Sequence, residues 1–261
     1  MDHRLVTWAR GVKARRRRAG GRAGRVPVLW LFTDDARLPD PCGAVAALPR
    51  GLCGVVFRHD GVPGRAALAR MLARQCRQRA IPFVVAGDAR LAAAVGAGVH
   101  LRGGRPADGR LGTRRAGGWR RTGAATTSSA HSAAELRRAW RAGADAVFLS
   151  PALPTRSHPG APALGTVRWA ALSARLPRGG QTAILALGGV DGGHARRLPR
   201  WCGGAGAIGA LLPEGATDGG GNKECGPAVT VFRDCHKTFI PGIAAIGQPS
   251  DSVNGSGCAR P

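Results

Sequence analysis

The chain has no tyrosine, only three lysines among its 39 basic residues, and only 15 acidic residues to set against them. Those lysines are Lys13, Lys223 and Lys237, so arginine carries nearly all of the positive charge. The arginines are scattered along almost the whole length. With abundant Ala and Gly, this pattern reflects codon usage in a GC-rich genome more than a surface built for a polyanion. A formal net charge of +24 would otherwise point first to nucleic acid or an anionic membrane. No run approaches the ~20 apolar residues of a membrane span. The short apolar stretch Val26-Pro-Val-Leu-Trp-Leu-Phe32 runs straight into Thr33-Asp34-Asp35 with no small-residue cleavage site, which argues against secretion. Seven cysteines form no C-x-x-C pair and mostly fall in or beside apolar runs. That excludes a disulfide framework and reads as reduced thiols in a cytoplasmic protein.

What is present divides into three parts. Residues 1–26 hold the one concentrated basic run, Lys13-Ala-Arg-Arg-Arg-Arg18, continued by Arg22 and Arg25 among glycines, and read as a disordered basic arm. Residues 27–213 alternate short apolar runs with longer Ala, Leu and Arg segments. Residues 214–261 are rich in Gly, Asp, Asn and Ser, lack an amphipathic helix, and read as an irregular tail.

The middle part supplies eight candidate strands: 28–32, 54–57, 82–85, 98–101, 124–128, 146–149, 183–187 and 205–210. Between them, Leu68, Met71, Leu72 and Cys76 recur on one face of a helix predicted over 65–79. Ser132-Ala-Ala-Glu135 opens another helix with a capping box. Strands alternating with helices argue for βα units and a parallel sheet. Eight units close most naturally into an α/β TIM (β/α)₈ barrel, with a doubly wound open sheet as runner-up.

In such a barrel the residues just after each strand converge on one rim. The sixth strand ends in Ser150-Pro-Ala-Leu-Pro-Thr-Arg-Ser-His-Pro-Gly160, where Thr155, Arg156, Ser157 and His158 offer hydroxyl, guanidinium and imidazole donors to an anion. The seventh is followed by Gly188 and Gly189, and the eighth carries Gly206 and Gly209. Bare amides there suit a phosphate, which this fold commonly holds after its last two strands. Arg58 follows the second strand, Asp88 the third, and Ser129 and His131 the fifth. His100, inside an apolar run, reads as a core histidine.

These residues also carry a resemblance. Leu31-Phe-Thr-Asp34, Gly96-Ala-Gly-Val-His-Leu101, Ser129-Ala-His131, Ala142-Gly-Ala-Asp145 with the strand-six loop, and Ala186-Leu-Gly-Gly-Val190 together resemble the thiamine phosphate synthase and TenI-type thiazole tautomerase superfamily over roughly residues 28 to 212. The resemblance implies a TIM barrel that binds thiazole phosphate and, in the synthases, a pyrimidine pyrophosphate held through Mg²⁺. It assigns substrate or phosphate contacts to Arg58, Thr155, Ser157 and the position of His158, which Ser129 and the glycines Gly188, Gly189 and Gly209 join as candidate phosphate or substrate contacts.

The chain departs from that pattern where the family binds metal. The Gln, Arg and Lys that follow strand two in the synthases are matched by Val56, Arg58 and Asp60. The Asn-Asp after strand three is matched by Ala86-Gly87, with Asp88 one position later as the one candidate Mg²⁺ ligand. The second metal-binding aspartate, after strand four, is matched by Arg105, and His158 stands where a lysine is usual. Arg58, Arg102, Arg105 and Arg156 could form a metal-free clamp instead. His131 matches the tautomerase histidine that moves a proton on the thiazole ring; otherwise it merely precedes the Ser132 helix cap. Three expectations follow: a divergent synthase, a thiazole tautomerase using His131, or an inactive barrel binding nucleic acid through its basic arm.

Overall fold

The computed structural model describes residues 1–20, 25–38, 40–103, 125–155, 160, 162–177 and 182–212. Its strands are β1 (Leu29–Phe32), β2 (Cys53–Phe57), β3 (Phe83–Ala86), β4 (Gly98–Leu101), β5 (Thr126–Ala130), β6 (Ala146–Leu149), β7 (Ala183–Leu187) and β8 (Ala205–Ala207). Each pairs in parallel with the next, and β1 pairs with β8, so the sheet closes into a barrel and the open-sheet alternative is excluded. The helices are α1 (His3–Ala19), α2 (Pro41–Ala47), α3 (Arg65–Gln78), α4 (Ala89–Ala94), α5 (Ala133–Arg141) and α6 (Gly165–Ser173). No helix among the described residues is long and apolar enough to cross a membrane.

Two apolar layers follow from strand alternation. One face of each strand packs outward with the helices. The other fills the barrel with Trp30, Phe32, Val56, Val84, Phe148 and Leu185 among smaller residues. Phe32 stands edge-on to Phe148 with ring centroids 4.8 Å apart, and Trp30 does so at 5.8 Å. Such large rings fit only because their neighbours are small. A Cβ at Gly54 would lie 2.7 Å from the Trp30 ring, and one at Gly206 would lie 2.6 Å from Phe32. His100 belongs to this interior, 5.6 Å from the Phe32 centroid, with Nδ1 2.9 Å from Thr127 Oγ1.

The basic arm needs correction. Residues 3–19 form α1, capped by Asp2, whose carboxylate accepts from the Arg4 and Leu5 amides. Its stripe Leu5, Val6, Ala9 and Val12 is buried in the main core, while its arginines lie mostly on the outer face. Burial of a helical stripe outweighs the mutual repulsion of the solvated side chains. Asp2 also accepts from the Gly192 amide, and its own N–H donates to Ala210 O. The helix therefore covers the flank by β7 and β8, where only 3₁₀ turns at Ala195–Arg197 and Gly209–Leu211 follow the strands. β5 lies two residues later than predicted and β8 ends three residues earlier. The tail expected over 214–261 lies outside the described residues.

Candidate active site

The rim at the C-terminal ends of the strands is assembled by hydrogen bonds between neighbouring units. After β1, Thr33 is fully buried and its hydroxyl accepts the Arg58 amide at 3.0 Å. The same oxygen lies 2.9 Å from His59 Nδ1, and the His59 ring stacks on Phe57. Arg58 is thus fixed at its backbone while its side chain is exposed. Ser129, in β5, accepts the Gly103 amide through Oγ at 3.3 Å, which ties the end of β4 to β5.

His131 lies between β5 and α5. Its amide donates to Glu135 Oε2 at 2.6 Å, and Ser132 Oγ accepts the Glu135 amide, so the capping box reaches one residue further back than the sequence implied. Its Nδ1 lies 3.1 Å from Ser150 O and 3.2 Å from Ser150 Oγ. A carbonyl can only accept, which assigns the neutral ring's proton to Nδ1 and leaves Nε2 as the basic atom.

The strand-six loop is fastened to the glycine turn after β7. Ala152 N donates to Leu187 O at 2.8 Å and Leu153 N to Gly188 O at 3.1 Å. Gly188 and Gly189 have φ of 92° and 66°. A Cβ at Gly189 would run into the Leu153 and Pro154 carbonyls, so this turn admits glycine alone. Thr155 is half-buried on the loop above them, and Gly209 is exposed at the start of the turn after β8. Arg105, Arg156, Ser157 and His158 lie outside the described residues.

Sequence reasoning missed Arg65, the first residue of α3. Its guanidinium donates to His59 O at 2.6 Å, Asp88 Oδ2 at 2.8 Å, Ala86 O at 3.2 Å and Asp60 Oδ1 at 3.3 Å. Asp60 also holds Arg102. Arg102 in turn lies against Gly87, where an added Cβ would be 3.1 Å from its Nε. A row of alternating charges, Asp88, Arg65, Asp60 and Arg102, therefore runs across the ends of β2 to β4.

Asp88 is occupied within that row. Its other oxygen caps α4 by accepting the Leu91 amide at 2.8 Å. That backbone bond, with Arg65 beside it, holds its carboxyl below the usual carboxylate range. Mg²⁺ needs several oxygen ligands in near-octahedral array. A single carboxylate engaged on both oxygens does not supply them, and no three potential ligands cluster among the described residues. Among the described residues, the donor set does not fit the metal.

Burial dominates the buried imidazoles. It pushes His59 below its ordinary value despite the pull of Asp35, Asp34 and Asp60. His100 is driven down to about 3, first by burial and then by Arg58 and Arg102. Between pH 6.5 and 3 the unfolded chain therefore binds a proton at His100 that the folded chain does not, so folding stability falls as pH falls through this window. The expected slope is about 1.4 kcal/mol per pH unit, or ~2 kcal/mol between pH 7 and 5. Urea unfolding at the two pH values should show that loss, and His100→Gln should reduce it. An equal loss in the variant would refute the assignment.

Residues 42–207 match the thiamine monophosphate synthase family. Thiamine-phosphate synthases of Geobacillus thermodenitrificans and Geobacillus kaustophilus are each 34% identical to this chain, over 159 and 160 residues, covering 58% of it and 68% of their own length. Among solved structures, the thiamine phosphate pyrophosphorylase from Pyrococcus furiosus superposes with a TM-score of 0.55 at 21% identity, covering 71% of this chain and 88% of the other, which speaks for the fold. The expected family rested on motifs at successive strand ends, and the match runs through β2 to β8: this chain belongs to the thiamine monophosphate synthase family.

Proposed function

We propose that the protein is a divergent thiamine phosphate synthase that neutralises its leaving group with arginine. In this reaction the ring nitrogen of a thiazole phosphate attacks the methylene carbon of a pyrimidine pyrophosphate. The new C–N bond forms as the C–O bond breaks, and pyrophosphate leaves with the electron pair. The observation that carries the reading is Arg102, held by Asp60 against Gly87, the position matched to a metal-binding carboxylate. A guanidinium at that point, with Arg58 exposed at the end of β2, puts fixed positive charge where the leaving oxygen becomes anionic. The thiazole phosphate would lie across the rim on the Gly188 and Gly189 amides and Thr155.

The purified chain is expected to form thiamine phosphate and pyrophosphate from the two substrates, in EDTA as well as with Mg²⁺. No product under either condition would overturn the proposal. Product only with Mg²⁺ would remove the arginine account.

His131 supports a second reading. An Nε2 left basic by the Ser150 bond suits the proton relocation that isomerises a thiazole carboxylate phosphate. That activity should fall about 10²–10⁴-fold in His131→Ala. Full isomerisation by the variant would dismiss the tautomerase.

A further inference from the structure

The opposite end of the barrel holds a second concave site. A cavity of about 500 Å³ opens at the N-terminal ends of β1 to β3, between the last turns of α1 and the segments that enter these strands. Its wall carries Lys13, Arg16, Arg17 and Arg25 against Val26, Pro27, Val28 and Cys53, and no carboxylate. Among the described residues none of the four cations is ion-paired. Two are pinned by backbone carbonyls: Lys13 Nζ donates to Gly51 O at 2.5 Å, and Arg16 Nη1 to Gly203 O at 2.6 Å.

Arg16 is the informative member. Its Nε and Nη2 are buried without a partner. Burial lowers its pKa to about 10, which still leaves it charged at neutral pH. A desolvated guanidinium is costly to keep unless negative charge lies near it. Basic residues at a helix C-terminus stabilise the helix dipole, but that accounts for side chains lying along the last turn. It does not account for four cations from α1 and the β1 approach lining one hollow.

We propose that this cavity binds a chain of linked phosphates, such as a di- or triphosphate group. Four positive charges around a few hundred Å³ match a compact polyanion, and the volume is in the range of small-ligand sites. A nucleic-acid backbone would instead need cations spread along a convex or linear track. The site is separate from the rim, since the two lie at opposite ends of the same strands, so it can be occupied whether or not the proposed synthase reaction takes place.

The test is calorimetric titration of the full chain with inorganic triphosphate, pyrophosphate, monophosphate, ATP and a single-stranded oligonucleotide. Triphosphate and pyrophosphate should bind, monophosphate at least tenfold more weakly. ATP matching triphosphate would identify the triphosphate group itself as the recognised part; ATP binding tenfold more tightly would assign the site to nucleotides of the same chemistry. Arg17→Glu, on an exposed position, should lower triphosphate affinity at least tenfold in a protein that still unfolds cooperatively, and Arg16→Met should lower it likewise if it folds. Arg58→Ala, at the far rim, should leave that affinity unchanged. Binding lost in Arg58→Ala but kept in Arg17→Glu, or an oligonucleotide outcompeting triphosphate, would overturn the proposal.

Discussion

Trp30→Ala is expected to cost about 3–5 kcal/mol of folding stability, the range for removing a fully buried aromatic side chain. Trp30 has no exposed surface, sits in the layer of rings that fills the barrel, and donates its indole N–H to Pro27 O at 3.0 Å. Truncation would empty the space over Gly54, remove the edge contact with Phe148 and leave the Pro27 carbonyl without that donor. Domains of this size have about 5–15 kcal/mol to lose, so the variant should be marginal at 37 °C. Urea unfolding gives the measurement, with a lower midpoint and an unchanged slope expected. The same packing predicts coupling. Gly54→Ala brings a methyl to within 2.7 Å of the indole in the native chain, a clash that disappears once Trp30 is alanine. Its cost should therefore shrink in the double variant, and strict additivity would contradict the packing described.

The barrel was largely legible because its cause is local. Apolar runs of strand length, separated by helix-length segments, specify a parallel sheet residue by residue. The strands Gly98–Leu101, Ala146–Leu149 and Ala183–Leu187 fall where the runs placed them. β5 was harder to place because Thr126-Thr-Ser-Ser-Ala130 is polar on both faces; its buried Thr127 and Ser128 are satisfied by His100 Nδ1 and Leu101 O, which only the pairing with β4 provides. The helix α1 was hidden by charge. The Leu5, Val6, Ala9, Val12 stripe and the Asp2 cap were present in the sequence, but the arginine run dominated the composition that suggested disorder.

The site divides along the same line. Arg58, His131, Gly188 and Gly189 could be placed on the rim because chain order alone puts residues that follow parallel strands there. Arg65 could not, since it opens a helix six residues after His59 and reaches Asp88 only through the turn at Gly64. Arg16 was hidden for a related reason. A buried guanidinium looks like its solvated neighbours until the helix that carries it is packed against the barrel.

If the proposed synthase reaction holds, Arg58→Ala is expected to lower its turnover about 10²-fold, roughly 2.7 kcal/mol of transition-state stabilisation, while leaving the fold intact. The side chain is exposed and makes no ion pair among the described residues, whereas Arg102 is held in place by Asp60. Its backbone amide, not its guanidinium, makes the Thr33 contact, so alanine keeps the hydrogen bond that shapes the turn. It is nevertheless near enough to the centre of the barrel mouth to add to the effect of burial in holding His100 down and to that of Arg37 in holding Asp34 down. In the proposed reaction, a cation so placed is available to the departing pyrophosphate. Because the charge on that group grows as the C–O bond breaks, the loss should fall on kcat more than on KM for the pyrimidine substrate. Arg58→Lys should recover only part of the rate, since an ammonium keeps the charge but not the two-pronged geometry. Steady-state kinetics of the three proteins in EDTA and in Mg²⁺ make the comparison, and an alanine variant as fast as the parent in EDTA would remove Arg58 from the reaction.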